Sequence, residues 1–553
     1  MSLSAASFAS ARLLMGLQLS VRLVTFGLNQ ALLRKTSPRA FGTAAIHFEL
    51  LLSTILFLSR EGVRNTLLRV WPSPKSDAVA DVPSTLRNLT YLPILTGVPL
   101  ALVASLVYYR QSSPDTRTQP HFELSVVIYA LAALIELMTE PMHIRAMGEL
   151  RTHVRVRAEA TAVIGKALTT FLILYIDSSR PAPSEAYSLL AFALGQLTYA
   201  SLLLLLYLLA YPASFPNISN LLYPKRIKSS LDPELLNLSL TFTSQSLIKH
   251  VLTEGDKLIV SRLSPLDDQG GYAVAVNYGS LVARIVFQPI EETLRLYFSK
   301  LLSPSSSPTS LTSLAQSLST LHHLLATQLS LSLLIVTFAP PFLPLALTLL
   351  LPPAYLHTSA PSVLAAWIWY LPVLAVNGGM EAFVSSVQRP GDVNQQSRWM
   401  TAFSLLYILS ALSLYSFGCG DTALVYANIA SLASRIAYCV FFAQAYFASH
   451  SPSSQPSKTR STSQVNRLKL EWRRITPDAL LLAVCALSRA VIWWNAKRIG
   501  VSDIIKEEGK RALFRKDVLG HVALGVGLGV VSLGVWWLRS GQALLRSRCG
   551  KAD

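Results

Sequence analysis

Charge is what this chain lacks most. Asp, Glu, Lys and Arg make up 14% of its 553 residues, where a soluble chain carries about a quarter. With a hydrophobic fraction of 51% and a mean hydropathy of +0.42, that shortage excludes an ordinary soluble globule. Cysteine is scarce as well. Cys419, Cys439, Cys485 and Cys549 stand far apart and form no CxxC pair, so neither a disulfide frame nor a thiolate metal site is suggested. The chain has no G-x-x-x-x-G-K-[ST] phosphate loop, G-x-S-x-G, H-E-x-x-H or D-F-G. ATP hydrolysis is therefore not expected, and no catalytic residue, cofactor or metal is nominated. "ELMTEPMH" sets Glu136, Glu140 and His143 on one helical side, but a metal site there is a minor reading. Met1–Ser10 lacks a basic n-region, so no cleaved signal peptide is expected.

What is present in quantity is apolar sequence. Runs of about 20 residues, enough to cross a bilayer as helix, recur from end to end. About fourteen spans are expected, near 10–33, 41–59, 91–109, 121–140, 158–176, 187–210, 242–262, 273–297, 320–345, 361–385, 399–417, 421–447, 477–496 and 517–538. The fold class is an all-α polytopic membrane protein. Pro340, Pro341 and Pro344 make the span at 320–345 the weakest, and the apolar run beyond it either extends it or lies at the interface.

The spans fall into two sets that resemble each other. "FLSREGVRNTLL" (57–68) and "FQPIEETLRLYF" (287–298) both read Phe-x-x-x-Glu, and Gln18/Arg22 and Gln245/Lys249 each place a cation four residues after a glutamine. A six-plus-six repeat follows: an N-lobe at 1–210, an inter-lobe loop at 211–240 and a C-lobe at 241–447. A Ser/Pro-rich basic linker at 448–476 then leads to two further spans and a tail at 477–553. The net charge of +18 is carried mostly by alternate loops, which puts both termini in the cytosol. The 497–516 loop breaks the pattern and reads as a partly amphipathic interfacial helix.

Several spans nonetheless carry charge. In 273–297, Arg284, Gln288, Glu291 and Arg295 fall on one helix face at 100° per residue. A charge at the bilayer centre costs about 2.5–3.5 kcal/mol on insertion scales, so that face must meet other helices or a wet cavity. Arg22, Glu49, Glu136, Glu140, Glu159, Lys166, Lys249, Glu254, Asn377, Glu381 and Arg435 lie in other spans. Any one of them could be a structural ion pair; together they imply a hydrophilic cavity. Arginine holds phosphate oxygens in bidentate fashion and lysine adds a point charge, so the cations suit an anionic substrate. Pro289 is a candidate hinge, and Gly270-Gly271 and Gly378-Gly379 serve either bending or close packing.

The block "LIKHVLTEGDKLIVSRL" (247–263) followed by "DQGGYAVAVNYGSLVARIVFQPIEETLRLYF" (268–298) closely resembles the signature of the Rft family, eukaryotic endoplasmic-reticulum membrane proteins of lipid-linked oligosaccharide translocation. "FLSREGVR", "ELMTEP", "LAVNGGMEAF" and "ANIASLASRI" match in order. The resemblance implies the MOP-superfamily fold, with two six-helix lobes around a central cavity plus two helices. It implies a dolichyl-diphosphate oligosaccharide of two N-acetylglucosamines and five mannoses as substrate. Arginines at 22, 34, 60, 64, 284 and 435 and Lys249 match family positions. From these, Arg22, Lys249, Arg284 and Arg435 are expected to bind the diphosphate, with Glu254, Asn377 and Glu381 in the same cavity. Arg34, Arg60, Glu61, Arg64, Glu291 and Glu292 are expected at the gate, and Glu254 as partner of Lys249 or Arg284. A monomer using no ATP and binding no nucleic acid is expected. A non-transporting scaffold of the same pathway and a cation-coupled antiporter stay open as alternatives.

The topology has one direct test. The sequons at Asn88, Asn217 and Asn237 all fall on the cytosolic side, so endoglycosidase H should leave the gel mobility of the expressed protein unchanged. A shift abolished by replacing any of the three asparagines would reverse the orientation.

Overall fold

The structure is a computed structural model, and it describes residues 26–71, 84–149, 151–179, 186–211, 232–302, 311–449 and 470–541. Twelve helices among the described residues are long and apolar enough to cross a membrane. They are α1 (Pro38–Val70), α2 (Leu92–Gln111), α3 (Phe122–Gly148), α4 (Thr152–Ser178), α5 (Ser188–Ala210), α8 (Leu266–Leu301), α9 (Thr312–Leu350), α10 (Ala360–Val387), α11 (Gly391–Ser416), α12 (Thr422–Ser449), α13 (Ala479–Ile499) and α15 (Lys516–Arg539). Between α5 and α8 lie α6 (Pro233–Thr253) and α7 (Gly255–Leu263). Of the fourteen spans expected, the first lies mostly outside the described residues. The seventh, at 242–262, is divided between α6 and α7 where Glu254, Asp256 and Lys257 flank Gly255; α6 is too polar and the nine-residue α7 too short to be among the twelve.

The ends of the helices follow from local chemistry. Ser37 accepts a hydrogen bond from the Ala40 amide with Pro38 in the first turn of α1, and Asp232 and Asp478 cap α6 and α13 through the Glu234 and Leu480 amides. Gly500 ends α13 at φ 70°, a left-handed conformation that side-chain-bearing residues resist, and its amide reaches back to Ala496 and Lys497. The following residues form α14 (Val501–Glu508), with Val501 and Ile504 buried and Lys506, Glu507 and Glu508 outward. This is the amphipathic helix read from the 497–516 loop.

The chain divides into two compact units, residues 1–273 and 274–553. In the first, α1 packs against α2, α3 and α6, and α5 lies on α3 and α4. Its core is built on Phe48, Phe122 and Tyr129, with the Phe48 and Tyr129 rings 4.8 Å apart. Gly270 lets its helix meet the start of α1: a Cβ there would lie 2.0 Å from the Pro38 carbonyl oxygen, so close packing, not hinging, accounts for it. In the second unit, α10 packs against α8, α9 and α12, and α13 and α15 both lie on α9. Phe298, Phe383 and Phe447 form its core, with Phe383 edge-on to Phe298 at 5.4 Å and stacked on Phe447 at 5.2 Å. Leucines and valines such as Leu102, Leu106, Val526 and Val530 point outward, where hydrocarbon, not water, is the solvent.

The weakest span turns out to be continuous. α9 passes through Pro340, Pro341 and Pro344 and stays helical to Leu350. A proline removes the N–H that the carbonyl four residues earlier would accept, so Pro340 and Pro341 orphan the carbonyls of Val336 and Thr337. Arg489, halfway along α13, donates from one Nη1 to both, at 2.9 Å and 3.3 Å. In hydrocarbon an unmet carbonyl costs several kcal/mol, so one guanidinium from a neighbouring helix restores what two prolines remove.

Arg489→Met should therefore destabilise the detergent-purified protein by about 1–3 kcal/mol. The same substitution in a Pro340→Ala/Pro341→Ala background, where the amides are back, should cost much less. Thermal unfolding of the four proteins measures the coupling, and an equal loss in both backgrounds would sink the repair account.

Candidate functional site

In the first unit, buried charge is gathered into one web. Arg60 and Arg64, one turn apart on α1, face α3. Arg60 Nη1 lies 2.8 Å from Glu136 and 3.4 Å from Glu140, while Arg64 binds both oxygens of Glu140, Nη2 at 2.5 Å and Nε at 3.2 Å. The Glu140 side chain is fully buried, and the two guanidinium groups are about one-fifth exposed. Carboxylate and guanidinium match in this bidentate geometry, and neither could stay buried without the other. His143 completes the layer, its Nδ1 3.0 Å from the Tyr207 hydroxyl. The trio Glu136, Glu140 and His143 thus serves ion pairing and packing.

Beside this web is a pocket of about 520 Å³ within the same unit, inside the usual range of small-ligand cavities, about 300–1,000 Å³. Its polar lining includes Asn29, Glu49, Arg60, Glu61, Glu136, Lys166, Gln196 and Tyr199, and its apolar lining includes Phe41, Phe57 and Phe192. Lys166 from α4 reaches across to Glu49 of α1 at 3.0 Å and to the carbonyl oxygen of Gln196 on α5 at 2.6 Å. Glu159, in the same helix, pairs with Arg155 at 2.8 Å, one turn away.

In the second unit, Arg435 of α12 pairs with Glu381 of α10 at 2.8 Å. Asn377, one turn before Glu381, is buried, and its Oδ1 has no hydrogen-bond partner among the described residues. Glu291 pairs with Arg295 at 2.9 Å, and a Cβ at Gly378 would lie 3.2 Å from Glu291 Oε2. Gly379 likewise faces Gln328 and Leu324, so these glycines bring α10 close to its neighbours. Arg284 stands in a π-helical turn, Ala283–Phe287, immediately before Gln288 and Pro289. Its Nη2 donates to the Asn277 carbonyl at 3.0 Å and side-chain oxygen at 2.9 Å. A π turn inserts a residue into the helix. The 100° spacing that aligned Arg284 with Glu291 is broken there, and Arg284 folds back along its own helix.

The remaining expected residues divide as follows. Arg22 lies outside the described residues, and so does the side chain of Lys249, whose backbone lies in α6. Glu254, expected opposite Lys249 or Arg284, pairs with Lys257 at 2.8 Å, three residues on. Arg34 and Glu292 are exposed. Glu61 accepts a hydrogen bond from Asn65 Nδ2 at 3.3 Å and pairs with no cation among the described residues. Gln196, Tyr199 and Asn277 were not nominated. The first two stand three apart in the apolar run "ALGQLTYA", and that isolated amide and phenol at helical spacing are the signal that could have found them.

The described residues are helical, with charge folded inward, and define a polytopic α-helical membrane fold. A solved structure titled "Lipid II flippase MurJ, inward closed conformation" is similar with a TM-score of 0.58 at 11% identity, covering 95% of this chain and 99% of that one. An inward-facing multidrug-resistance MATE transporter of the MOP superfamily is similar with a TM-score of 0.50 at 11% identity over 76% of this chain and 94% of its own. At such identity the likeness concerns the fold alone. The particular family comes from sequence: the family model described as Rft protein matches residues 6–548, and the chain belongs to that family. A Yarrowia lipolytica protein named "Man(5)GlcNAc(2)-PP-dolichol translocation protein RFT1" is 32% identical over 80% of this chain and 71% of its own length. The Saccharomyces cerevisiae protein of that name is 32% identical over 78% and 81%, and the Mus musculus protein 29% identical over 96% and 94%.

The buried web predicts an asymmetry between acids. Glu140→Gln leaves two guanidinium groups facing a neutral amide and should destabilise the purified protein by about 3–5 kcal/mol. Glu159→Gln, in a pair where both partners are about two-fifths exposed, should change stability by less than about 1 kcal/mol. Thermal unfolding of both variants tests this; equal losses would refute the ranking.

Proposed function

We propose that this protein carries dolichyl-diphosphate-linked oligosaccharide, with two N-acetylglucosamines and five mannoses, from the cytosolic to the lumenal leaflet of the endoplasmic reticulum in N-linked glycosylation. The observation that carries the reading is that relatives named for this translocation align with 78–96% of the chain. The physical problem fits the architecture. A diphosphate and a hydrated glycan do not cross hydrocarbon unaided, whereas a helical protein with inward charge offers them a polar route while dolichol stays in lipid. The movement is ATP-independent alternating access by two lobes, 1–210 and 241–447, with the 448–476 linker and the 477–553 segment appended, and both termini are cytosolic. The protein works as a monomer.

In this mechanism Arg22, Lys249, Arg284 and Arg435 bind the diphosphate. Arg435 sits against Glu381, so phosphate oxygens take the place of a carboxylate already at ion-pair distance. Glu381 holds the arginine ready between substrates, and the unsatisfied Asn377 oxygen lies one turn away on the same helix. Glu254, held by Lys257, acts on the cavity only indirectly. Arg60 and Arg64, fixed by Glu136 and Glu140, act in gating together with Arg34, Glu61, Glu291 and Glu292. Pro289, next to the π turn, supplies the bend.

Vesicles reconstituted with purified protein and labelled dolichyl-diphosphate glycan should expose the lipid to the opposite leaflet faster than empty vesicles. Arg435→Met and Arg284→Met should each slow that exposure by tenfold or more, the equivalent of about 1.4 kcal/mol, and Arg435→Lys should restore only part of it. Tight binding with no accelerated crossing would replace transport with a scaffold role, and ion-driven drug efflux would replace it with antiport.

A further inference from the structure

The pocket of the first unit has a chemistry unlike that of a phosphate site. Three carboxylates, Glu49, Glu61 and Glu136, line it against two cations, Arg60 and Lys166. Both cations are already engaged, Arg60 with Glu136 and Lys166 with Glu49. A diphosphate entering here would meet three carboxylates against two cations, an excess of negative charge.

What the lining does offer is neutral hydrogen bonding. The Asn29 carboxamide and the Tyr199 hydroxyl have no hydrogen-bond partner among the described residues. Gln196 commits its carbonyl oxygen to Lys166, which leaves its NH₂ group unused. Glu61 accepts only the long bond from Asn65. These four groups hold donors and acceptors not committed to protein partners, which an occupant of the cavity can engage. The walls between them are aromatic and aliphatic: Phe41, Phe57, Phe192, Leu52 and Leu56. A carboxylate and two amides set among aromatic and aliphatic walls match a neutral ring that bears hydroxyls at its edge and C–H groups on its face. A hexopyranose has that pattern, and a cavity of about 520 Å³ has room for it with waters around it.

We propose that this pocket binds a sugar unit of the transported glycan, apart from the residues that take the diphosphate. The assignment rests on the transport reading above and deepens it: the glycan is gripped by its hydroxyls in the first unit, and the head group is held at more than its charge.

The full chain in lipid nanodiscs would be titrated with two probes, the free glycan without phosphate or dolichol, and farnesyl diphosphate without sugar. Saturation-transfer NMR should detect glycan binding to the wild type. Tyr199→Phe, Gln196→Leu and Asn29→Ala should each weaken it by roughly tenfold, one charge-assisted or well-placed hydrogen bond's worth, while farnesyl diphosphate affinity stays unchanged. An unchanged unfolding temperature for Tyr199→Phe separates lost binding from lost fold. Failure of the free glycan to bind, or equal binding by wild type and all three variants, overturns the proposal while leaving leaflet-to-leaflet movement in vesicles as measured. Equal loss of both probes also overturns it, because the pocket would then serve the phosphate. Failed movement with intact, variant-sensitive glycan binding would instead overturn the transport reading alone.

Discussion

Everything else in this structure answers to the cost of ionised groups in a low-dielectric medium. An isolated guanidinium or carboxylate deep in hydrocarbon is worth several kcal/mol of destabilisation, and the attraction of a well-aligned partner recovers it only when the remaining donors and acceptors are also met. The Arg60–Glu136–Glu140–Arg64 web meets that demand by sharing: Glu140 serves two arginines and Arg60 serves two carboxylates. That sharing pins α1 to α3, and because α5 packs on α3 and α4, it also sets the walls of the adjacent pocket. Lys166, bridging Glu49 and Gln196, closes the same enclosure from α4. The ion pairs are therefore the frame on which a polar cavity is hung inside an apolar unit.

That frame bears on how a charged lipid can be held and released. A site of bare arginines would bind a diphosphate tightly and keep it. An arginine resting on a carboxylate exchanges one oxyanion for another, so the difference between the empty and loaded states is small and binding is reversible. Arg435 and Glu381 have this form in the second unit. Arg284 has a different one, held by the carbonyl and side-chain oxygens of Asn277 in a helix whose turn is widened at 283–287. A π turn is a register fault in a helix, and here it lies beside Pro289, the residue singled out as a bend.

The spans were legible because their signal is additive: twenty apolar residues in a row need no partner to be recognised, and the twelve long apolar helices among the described residues fall on runs read from composition. The presence of charge within them was legible for the same reason. Pairing was not, because it depends on which helices meet. Glu254 lies nearer Lys257 in sequence than either cation assigned to it, and helical adjacency at three residues prevailed over a long-range guess. Glu159 pairs with Arg155, four residues away, and Lys166 reaches across to Glu49 on another helix. Arg435 and Glu381 are 54 positions apart, and only the packing of α10 on α12 joins them. The pocket escaped notice because its telling residues, Gln196 and Tyr199, are single polar groups in greasy sequence, which in isolation look like ordinary packing.

The final helices make the same case from the opposite direction. Read as sequence, they are an appendix to a repeat, the part that says least. In the structure they are what makes α9 possible. Pro340 and Pro341 leave two carbonyls exposed in a medium that cannot hydrate them, and Arg489 of α13 answers both. Phe342, the next residue, is received by α15: its ring lies 5.0 Å from His521, and a side chain at Gly525 would collide with it at 2.1 Å. His521 in turn bonds Asn495 of α13 at 3.0 Å, locking the two helices to each other around the same spot. A helix that keeps consecutive prolines needs dedicated neighbours, and residues 479–539 supply them. A chain cut before residue 477 would retain every span of the repeat and lose the groups that let one of them stay helical.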